Sequence, residues 1–390
     1  MPKPDKIPTK KERPSIGIVG AGFAGTVVAR ELAEAGHKIT VFDSRPHLAG
    51  NCHTERDVET GILIHQYGPH IFHTNSDRVW NYVNRFSTFR PYTNRVKAIT
   101  DRGVFSLPIN LLTLNQYFGK SFNPTEAQLF LSKIGTDIDD PKNLEEQALK
   151  FLGSDLYRSF FYGYTKKQWG REPRDLPKSI LQRLPIRFNY NDDYYDSKFQ
   201  GIPVDGYTKL IERILDHPSI EIILGHRYVR GENTNFDHVF FSGCLDSYFD
   251  FEFGDLSYRT LDFERLEGDG DFQGNSILNY CEEGIPFTRI TEHKHFSPWE
   301  NYRRTICFQE YSREATRADI PFYPVRLIKE KKLLSMYMER AQQEEKVTFI
   351  GRLGTYRYLD MDKVVEESLD LITKYRLSKK WPLFSNDGNN

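Results

Sequence analysis

A turn with three glycines constrains this chain more than any other feature. Residues 15–20 form a short apolar run ending in glycine, residues 23–37 carry apolar side chains at helical spacing (Val27, Ala29, Leu32, Ala33), and residues 38–43 form a second β-branched run. The order is strand, helix, strand. Between the first strand and the helix stands Gly20-Ala21-Gly22-Phe23-Ala24-Gly25. A tight turn, close backbone approach to a pyrophosphate and close packing of helix on strand each ask for a glycine, and the helix N-terminus offers free N–H groups and a positive dipole. Asp43 ends the second strand 21 residues beyond Gly22, where a carboxylate accepts both ribose hydroxyls of an adenosine. A glycine turn in an unrelated α/β domain would leave Asp43 as coincidence. The segment predicts a dinucleotide site built on Gly20, Gly22, Phe23, Ala24, Gly25 and Asp43.

NAD and FAD share this first fingerprint, and the next residues separate them. Arg45 and the turn Ala49-Gly50-Asn51 follow the acidic residue closely, a placement similar to FAD proteins of the glutathione-reductase type. Flavin is the better fit. Near the C-terminus, residues 346–350 read as a strand, followed by a glycine-bearing turn and a helix with Val364, Val365, Leu369 and Leu371 on its apolar positions. A helix starting near Asp360 can aim its positive end at the flavin pyrimidine.

The chain's 390 residues exceed what one core usually organises. Its 53 basic and 54 acidic residues are mixed along the chain, which argues against a nucleic-acid partner. No apolar stretch approaches the roughly 18 to 20 residues of a membrane helix, so no membrane insertion is expected. Cys52, Cys244, Cys281 and Cys307 stand apart without a CxxC pair, which points to reduced thiols in a cytoplasmic enzyme without a signal peptide. Aromatic residues make up 14%, compatible with a sugar or nucleotide site, although composition alone favours core packing.

The middle of the chain is a different kind of structure. Residues 107–160 read as helical, with Asn123 before Pro124 as an N-cap and Asn143 with Glu146 as a capping box. Residues 95–107, 186–195, 257–267 and 286–296 are rich in aromatic and β-branched residues and predict an antiparallel sheet. The expected α/β fold has a Rossmann-like FAD-binding domain (15–82, 205–247 and 332–375), a helical-bundle subdomain (107–160) and an antiparallel sheet domain for substrate (83–106, 161–204 and 248–331), interleaved in sequence between tails at 1–14 and 376–390.

Six motifs then carry a family resemblance: residues 20–25, 67–74, 164–170, 183–190, 287–294 and 351–358, from the glycine turn through Tyr67-Gly68-Pro69-His70 and Tyr164-Thr165-Lys166-Lys167-Gln168-Trp169-Gly170 to Gly351-Arg352-Leu353-Gly354. Together they resemble bacterial UDP-galactopyranose mutases over most of residues 15–375. The resemblance implies an FAD enzyme, active when the flavin is reduced, that interconverts UDP-galactopyranose and UDP-galactofuranose for cell-surface glycans. It implies attack of flavin N5 on the anomeric carbon, loss of UDP and ring opening to an N5-sugar iminium. A homo-oligomer is expected, with a dimer favoured.

The same resemblance assigns residues. Arg183 and Arg289 would clamp the diphosphate as UDP leaves, since a guanidinium holds phosphate bidentately. Tyr194, Tyr323 and Tyr358 match tyrosines that reach the diphosphate, Phe160, Tyr164 and Thr165 match the uracil site, and Asn279 matches a phosphate contact. Trp169 lies in a glycine- and proline-bearing segment expected to be irregular and to close over substrate. His70 and Ile71 would lie beside the flavin, with His70 supporting N5. Further cofactor contacts are implied for Ser44, Arg45, Gly50 and Asn51, and for Arg352, Tyr358, Asp360 and Met361. The spacings of His70 with His73, and of His293 with His295 on an expected strand, could suggest metal ligands, but no cysteine or paired carboxylate completes a set, and no metal is expected.

Two positions depart from the family's pattern. Ala49 stands where glycine is common, and Cys244 where proline is common. The second change could accompany altered sugar preference, which keeps a mutase for UDP-N-acetylgalactosamine or a dTDP-6-deoxyhexose as the alternative. A flavin amine oxidase shares the fingerprint but has no use for a diphosphate clamp.

Overall fold

The computed structural model describes residues 14–183, 186–325, 327, 330–378 and 380–385, with the side chains of residues 181–183 outside that set. The expected tail at residues 1–14 thus lies outside the described residues except for Pro14, whose carbonyl accepts the Lys38 N–H at 3.2 Å.

Five parallel strands form the nucleotide-binding sheet, in the order Ile220–Leu224, Lys38–Asp43, Ser15–Val19, His238–Phe241 and Val347–Phe349. The helix Phe23–Glu34 buries Val27, Val28 and Leu32 completely against this sheet. The helix Met361–Ser378 returns beside it and contributes Val365, Leu371 and Ile372 to the same core. Each such side chain is worth roughly 1.5–3 kcal/mol of burial, enough to fix where the helix N-termini point.

The end of the chain differs from the expected tail. Residues 381–385 run beside Val347–Phe349: Phe349 N–H donates to Leu383 O at 2.8 Å and Ser385 N–H to Phe349 O at 3.0 Å. Trp381 stacks on Tyr375 and packs on His238 and Phe240. Leu383 and Phe384 also pack on the core, Phe384 against Phe349, so apolar side chains anchor the segment.

The second sheet has seven strands, in the order Tyr323–Pro324, Tyr258–Asp269, Arg304–Glu314, Arg289–Glu292, Ile277–Tyr280, Val96–Thr100 and Gly103–Leu107. It is mixed rather than wholly antiparallel, because Ile277–Tyr280 pairs in parallel with Val96–Thr100. The strand expected over 186–195 does not form. There Asn189 Oδ1 accepts the Asn191 N–H at 3.0 Å and Asn191 Oδ1 accepts the Asp193 N–H at 2.8 Å, local bonds that compete with a ladder.

Helices Leu111–Phe118, Pro124–Ile134 and Leu144–Leu156 form the helical layer, the second opened by a complete Asn123–Glu126 capping box. Helical structure runs on beyond residue 160, through a π-helical turn Tyr157–Tyr162 into Gly163–Trp169. No helix among the described residues is long and apolar enough to cross a membrane.

Candidate active site

A cavity of about 1010 Å³ opens at the carboxyl ends of the parallel strands, lined by Gly20, Gly22, Phe23, Ala24, Asp43, Ser44, Arg45, Gly50, Asn51, His70, Arg352 and Met361. The glycines have the roles the motif requires. Gly20 holds φ +102, and a Cβ there would meet Ser242 Oγ at 2.1 Å, while one on Gly25 would meet the Gly20 carbonyl at 2.0 Å. No side chain caps the Phe23–Glu34 helix, so its first N–H groups face an incoming phosphate.

Asp43 does more than wait for a ribose. Its carboxylate accepts the Ala21 N–H at 2.8 Å and the Arg45 N–H at 2.9 Å, tying both glycine turns to the strand end. Each oxygen keeps a lone pair for a ribose hydroxyl. Arg45 donates to Asn51 Oδ1 at 2.8 Å and lies over Tyr67, and its Nη1 is buried without a partner among the described residues. A buried guanidinium nitrogen in that state needs an acceptor from the bound dinucleotide. These residues fit FAD.

Several expectations need revision. Ala49 adopts φ +74, so alanine here carries left-handed strain of about 1–2 kcal/mol. Cys244 lines the dinucleotide cavity. Ile71 lies in a buried core cluster rather than in the cavity wall, and Asp360 lines a separate cavity of about 490 Å³ with His73 and Asp362, whereas Gly25 packs on the turn as the motif requires. The 226–230 loop also lines the main cavity, and no local motif marks it.

A second cluster forms on the seven-stranded sheet. Asn279, Arg289 and Glu310 are direct register partners on three adjacent strands, so their side chains share one face. Arg289 Nε donates to Glu310 Oε1 at 3.1 Å, and Thr288 Oγ1 donates to the same oxygen at 2.9 Å. Burial works against the Arg289 charge, but Glu310 more than offsets this and the guanidinium stays charged; Tyr164, Tyr194 and Tyr323 face it. Burial raises the Tyr164 and Tyr323 hydroxyl pKa values, so both are neutral donors. Asn279 Oδ1 is buried and lacks a partner among the described residues. Glu310 escaped the sequence reading. Arg183 ends the 3-10 helix Lys178–Arg183, and its side chain lies outside the described residues.

Tyr323 and Tyr358 stack at 5.5 Å and 9°, with Trp169 at 6.3 and 6.5 Å from them. Arg352 lies against both tyrosines and lines the dinucleotide cavity, which makes it the link between the two centres. Its guanidinium is held by the carbonyls of Leu359 and Phe322. Trp169 is the last residue of a helix rather than part of an irregular lid, with Gly170 at φ +62 as the terminator. Phe160 is packed between Phe105 and Tyr117, and Thr165 is buried on the following helix.

His70 Nδ1 lies 2.8 Å from Gly68 O, and a carbonyl only accepts, so Nδ1 carries the proton and Nε2 is the acceptor. Burial, with the Arg352 charge, brings its pKa down to about 4, and the ring is neutral at pH 7. His65 Nδ1 accepts the His70 N–H at 3.1 Å, and His293 Nδ1 the His65 N–H at 3.3 Å. His293 and His295 sit on a 3-10 turn, not a strand. The fold does bring Asp271 and Glu292 to His295, a carboxylate pair not foreseen, but Lys294 Nζ lies 2.6 Å from Asp271 and takes the place of a cation.

Comparison with known proteins agrees with this geometry. The sequence model of the UDP-galactopyranose mutase family matches residues 159–358, about half of the chain, and that of an NAD(P)-binding Rossmann-like domain matches residues 18–86. The chain is 50% identical over 371 residues to a dTDP-fucopyranose mutase of Escherichia coli, covering 93% of this chain and 98% of that one. It is likewise 50% identical over 376 residues to a probable UDP-galactopyranose mutase of Klebsiella pneumoniae, covering 95% and 98%. A crystal structure of reduced UDP-galactopyranose mutase shares the fold, with a TM-score of 0.73 at 16% identity and 94% coverage of both chains. The chain therefore belongs to the UDP-galactopyranose mutase family and is an FAD-dependent isomerase.

Proposed function

We propose that this enzyme interconverts UDP-galactopyranose and UDP-galactofuranose, with the diphosphate held at Arg289. The observation that carries the reading is the buried, charged Arg289, faced by three tyrosines and joined through Arg352 to the cofactor cavity. Cleavage of the anomeric bond concentrates negative charge on the departing UDP, and a cation pre-set by Glu310 stabilises that charge without reorganising. Neutral Tyr164 and Tyr323 donate hydrogen bonds, and the family resemblance makes Arg183 the candidate for a second guanidinium. His70 stays neutral and presents Nε2 as an acceptor beside the cofactor. Reduced FAD, when bound, supplies a nucleophilic N5 to the anomeric carbon. The reading extends to a cytoplasmic homodimer.

The Escherichia coli relative supports a second reading, in which a dTDP-activated 6-deoxyhexose is the substrate. Chromatography of reduced enzyme with UDP-galactofuranose and with dTDP-fucofuranose separates the two. The first reading expects the higher kcat/KM for the uridine nucleotide, and the reverse order would transfer the assignment to the second.

A further inference from the structure

We propose that Lys167 is a positioning residue for nucleotide binding, its ammonium group locking the helix that carries Tyr164 and Trp169 to the hairpin that carries Asn279 and Arg289. The inference rests on the reading above, in which the Arg289 cluster takes a nucleoside diphosphate.

Lys167 does not face solvent as its position near a helix end would allow. Its Nζ donates to the carbonyls of Tyr280 at 2.7 Å, Glu282 at 2.8 Å and Phe287 at 2.9 Å. An ammonium has three donors, and all three are used. The acceptors straddle the turn between strands Ile277–Tyr280 and Arg289–Glu292: Tyr280 is next to Asn279, and Phe287 is two residues before Arg289. The same ammonium therefore closes both arms of the hairpin at the level of the two residues that face the diphosphate. Lys167 forms no ion pair among the described residues, burial pulls its pKa down to about 8, and three carbonyl oxygens take its hydrogen bonds.

The backbone at the same end of the helix is fixed independently. Arg259 Nε and Ser312 Oγ both donate to Gln168 O, at 3.1 and 2.7 Å, and Arg259 Nη2 donates to Lys167 O at 3.3 Å. The last carbonyls of the helix are thus capped on the long strands, while the Lys167 ammonium ties it to both sides of the hairpin turn. Tyr164 lies three residues earlier and Trp169 two later, so one anchor sets both against Arg289, Tyr323 and Tyr358. The neighbouring Lys166 gives a contrast: it pairs at the surface with Glu172 and with Glu283 in the hairpin's turn, exposed ion pairs worth little, and bonds neither strand.

The test uses the flavin-loaded protein and its Lys167→Met, Lys167→Gln and Lys166→Met variants, with UDP as the binding probe. Lys167→Met is expected to raise the Kd for UDP and the KM for UDP-galactofuranose at least tenfold, with kcat changed less than threefold and flavin content unchanged. Lys167→Gln, which keeps two of the three donors, should give an intermediate rise, and Lys166→Met should stay within twofold of wild type. A role confined to stability would lower the melting temperature without this split between KM and kcat. Wild-type UDP affinity in a folded Lys167→Met variant overturns the proposal, as does wild-type affinity in Lys167→Gln if the methionine variant does not fold. Failure of the wild-type protein to bind UDP removes the diphosphate reading and the proposal with it.

Discussion

Arg289 and Glu310 face each other across adjacent antiparallel strands, with Nε 3.1 Å from Oε1, and Glu310 is only 1% exposed. Phosphate contacts of this charge-assisted kind contribute roughly 1.5–3 kcal/mol. Arg289→Ala should lower kcat/KM at least tenfold, about 1.4 kcal/mol, while keeping the flavin. Arg289→Lys should rescue little, because an ammonium cannot serve Glu310 and a phosphate through one planar fork. Steady-state kinetics beside the flavin absorbance checks both, and near-wild-type kinetics for Arg289→Ala would place the diphosphate elsewhere.

The glycine turn makes a contrasting pair. A Cβ on Gly25 would lie 2.0 Å from the Gly20 carbonyl, whereas one on Gly22 meets nothing closer than Gly50 Cα at 3.9 Å. Gly25→Ala should disrupt the turn itself, at about 3 kcal/mol or more. Gly22→Ala should leave the melting temperature of the FAD-free protein nearly unchanged and weaken FAD, since only the pyrophosphate approaches there. Equal loss of stability in both variants would contradict this division.

The features legible in the sequence are those whose cause is local. Gly20, Gly22, Gly25 and Asp43 lie within one strand–helix–strand unit, and Asn123 caps the helix that Pro124 opens. The box expected at Asn143–Glu146 is half formed: Asn143 Oδ1 accepts the Glu146 N–H, but Glu146 Oε2 accepts the N–H of Lys142. Glu310 was not legible, because its meeting with Arg289 depends on a strand register between residues 21 apart. The same holds for Lys167, whose three acceptors lie 113 to 120 residues away. Trp169 was misread because the prolines at 173 and 177 dominated, although Gly170 is the ordinary sign of a helix end. Residues 186–195 have strand composition, but their asparagines and aspartates satisfy one another locally. The segment 381–385 shows the converse, a stretch read as a tail whose Trp381, Leu383 and Phe384 dock on distant parts of the fold.

Buried histidines set the response to acid. Burial lowers His70 to about 4, His238 and His293 to about 3, and His65 well below its ordinary value of 6.5. The unfolded chain binds more protons between those values and 6.5, so stability is complete above about pH 6.5 and falls as pH drops towards the folded values. Each histidine contributes up to about 1.4 kcal/mol per pH unit in that window. Urea midpoints should fall steadily from pH 7 to 4.5. A flat profile would mean that these rings titrate in the folded protein as they do in the unfolded chain.

The central claim is that a reduced flavin and a diphosphate clamp together isomerise a nucleotide sugar without net redox change. Its most direct test is anaerobic incubation of the dithionite-reduced enzyme with UDP-galactofuranose, following UDP-galactopyranose by chromatography beside an air-oxidised sample. The account predicts many turnovers per reducing equivalent in the reduced sample and almost none in the oxidised one. Equal rates in the two samples would contradict it.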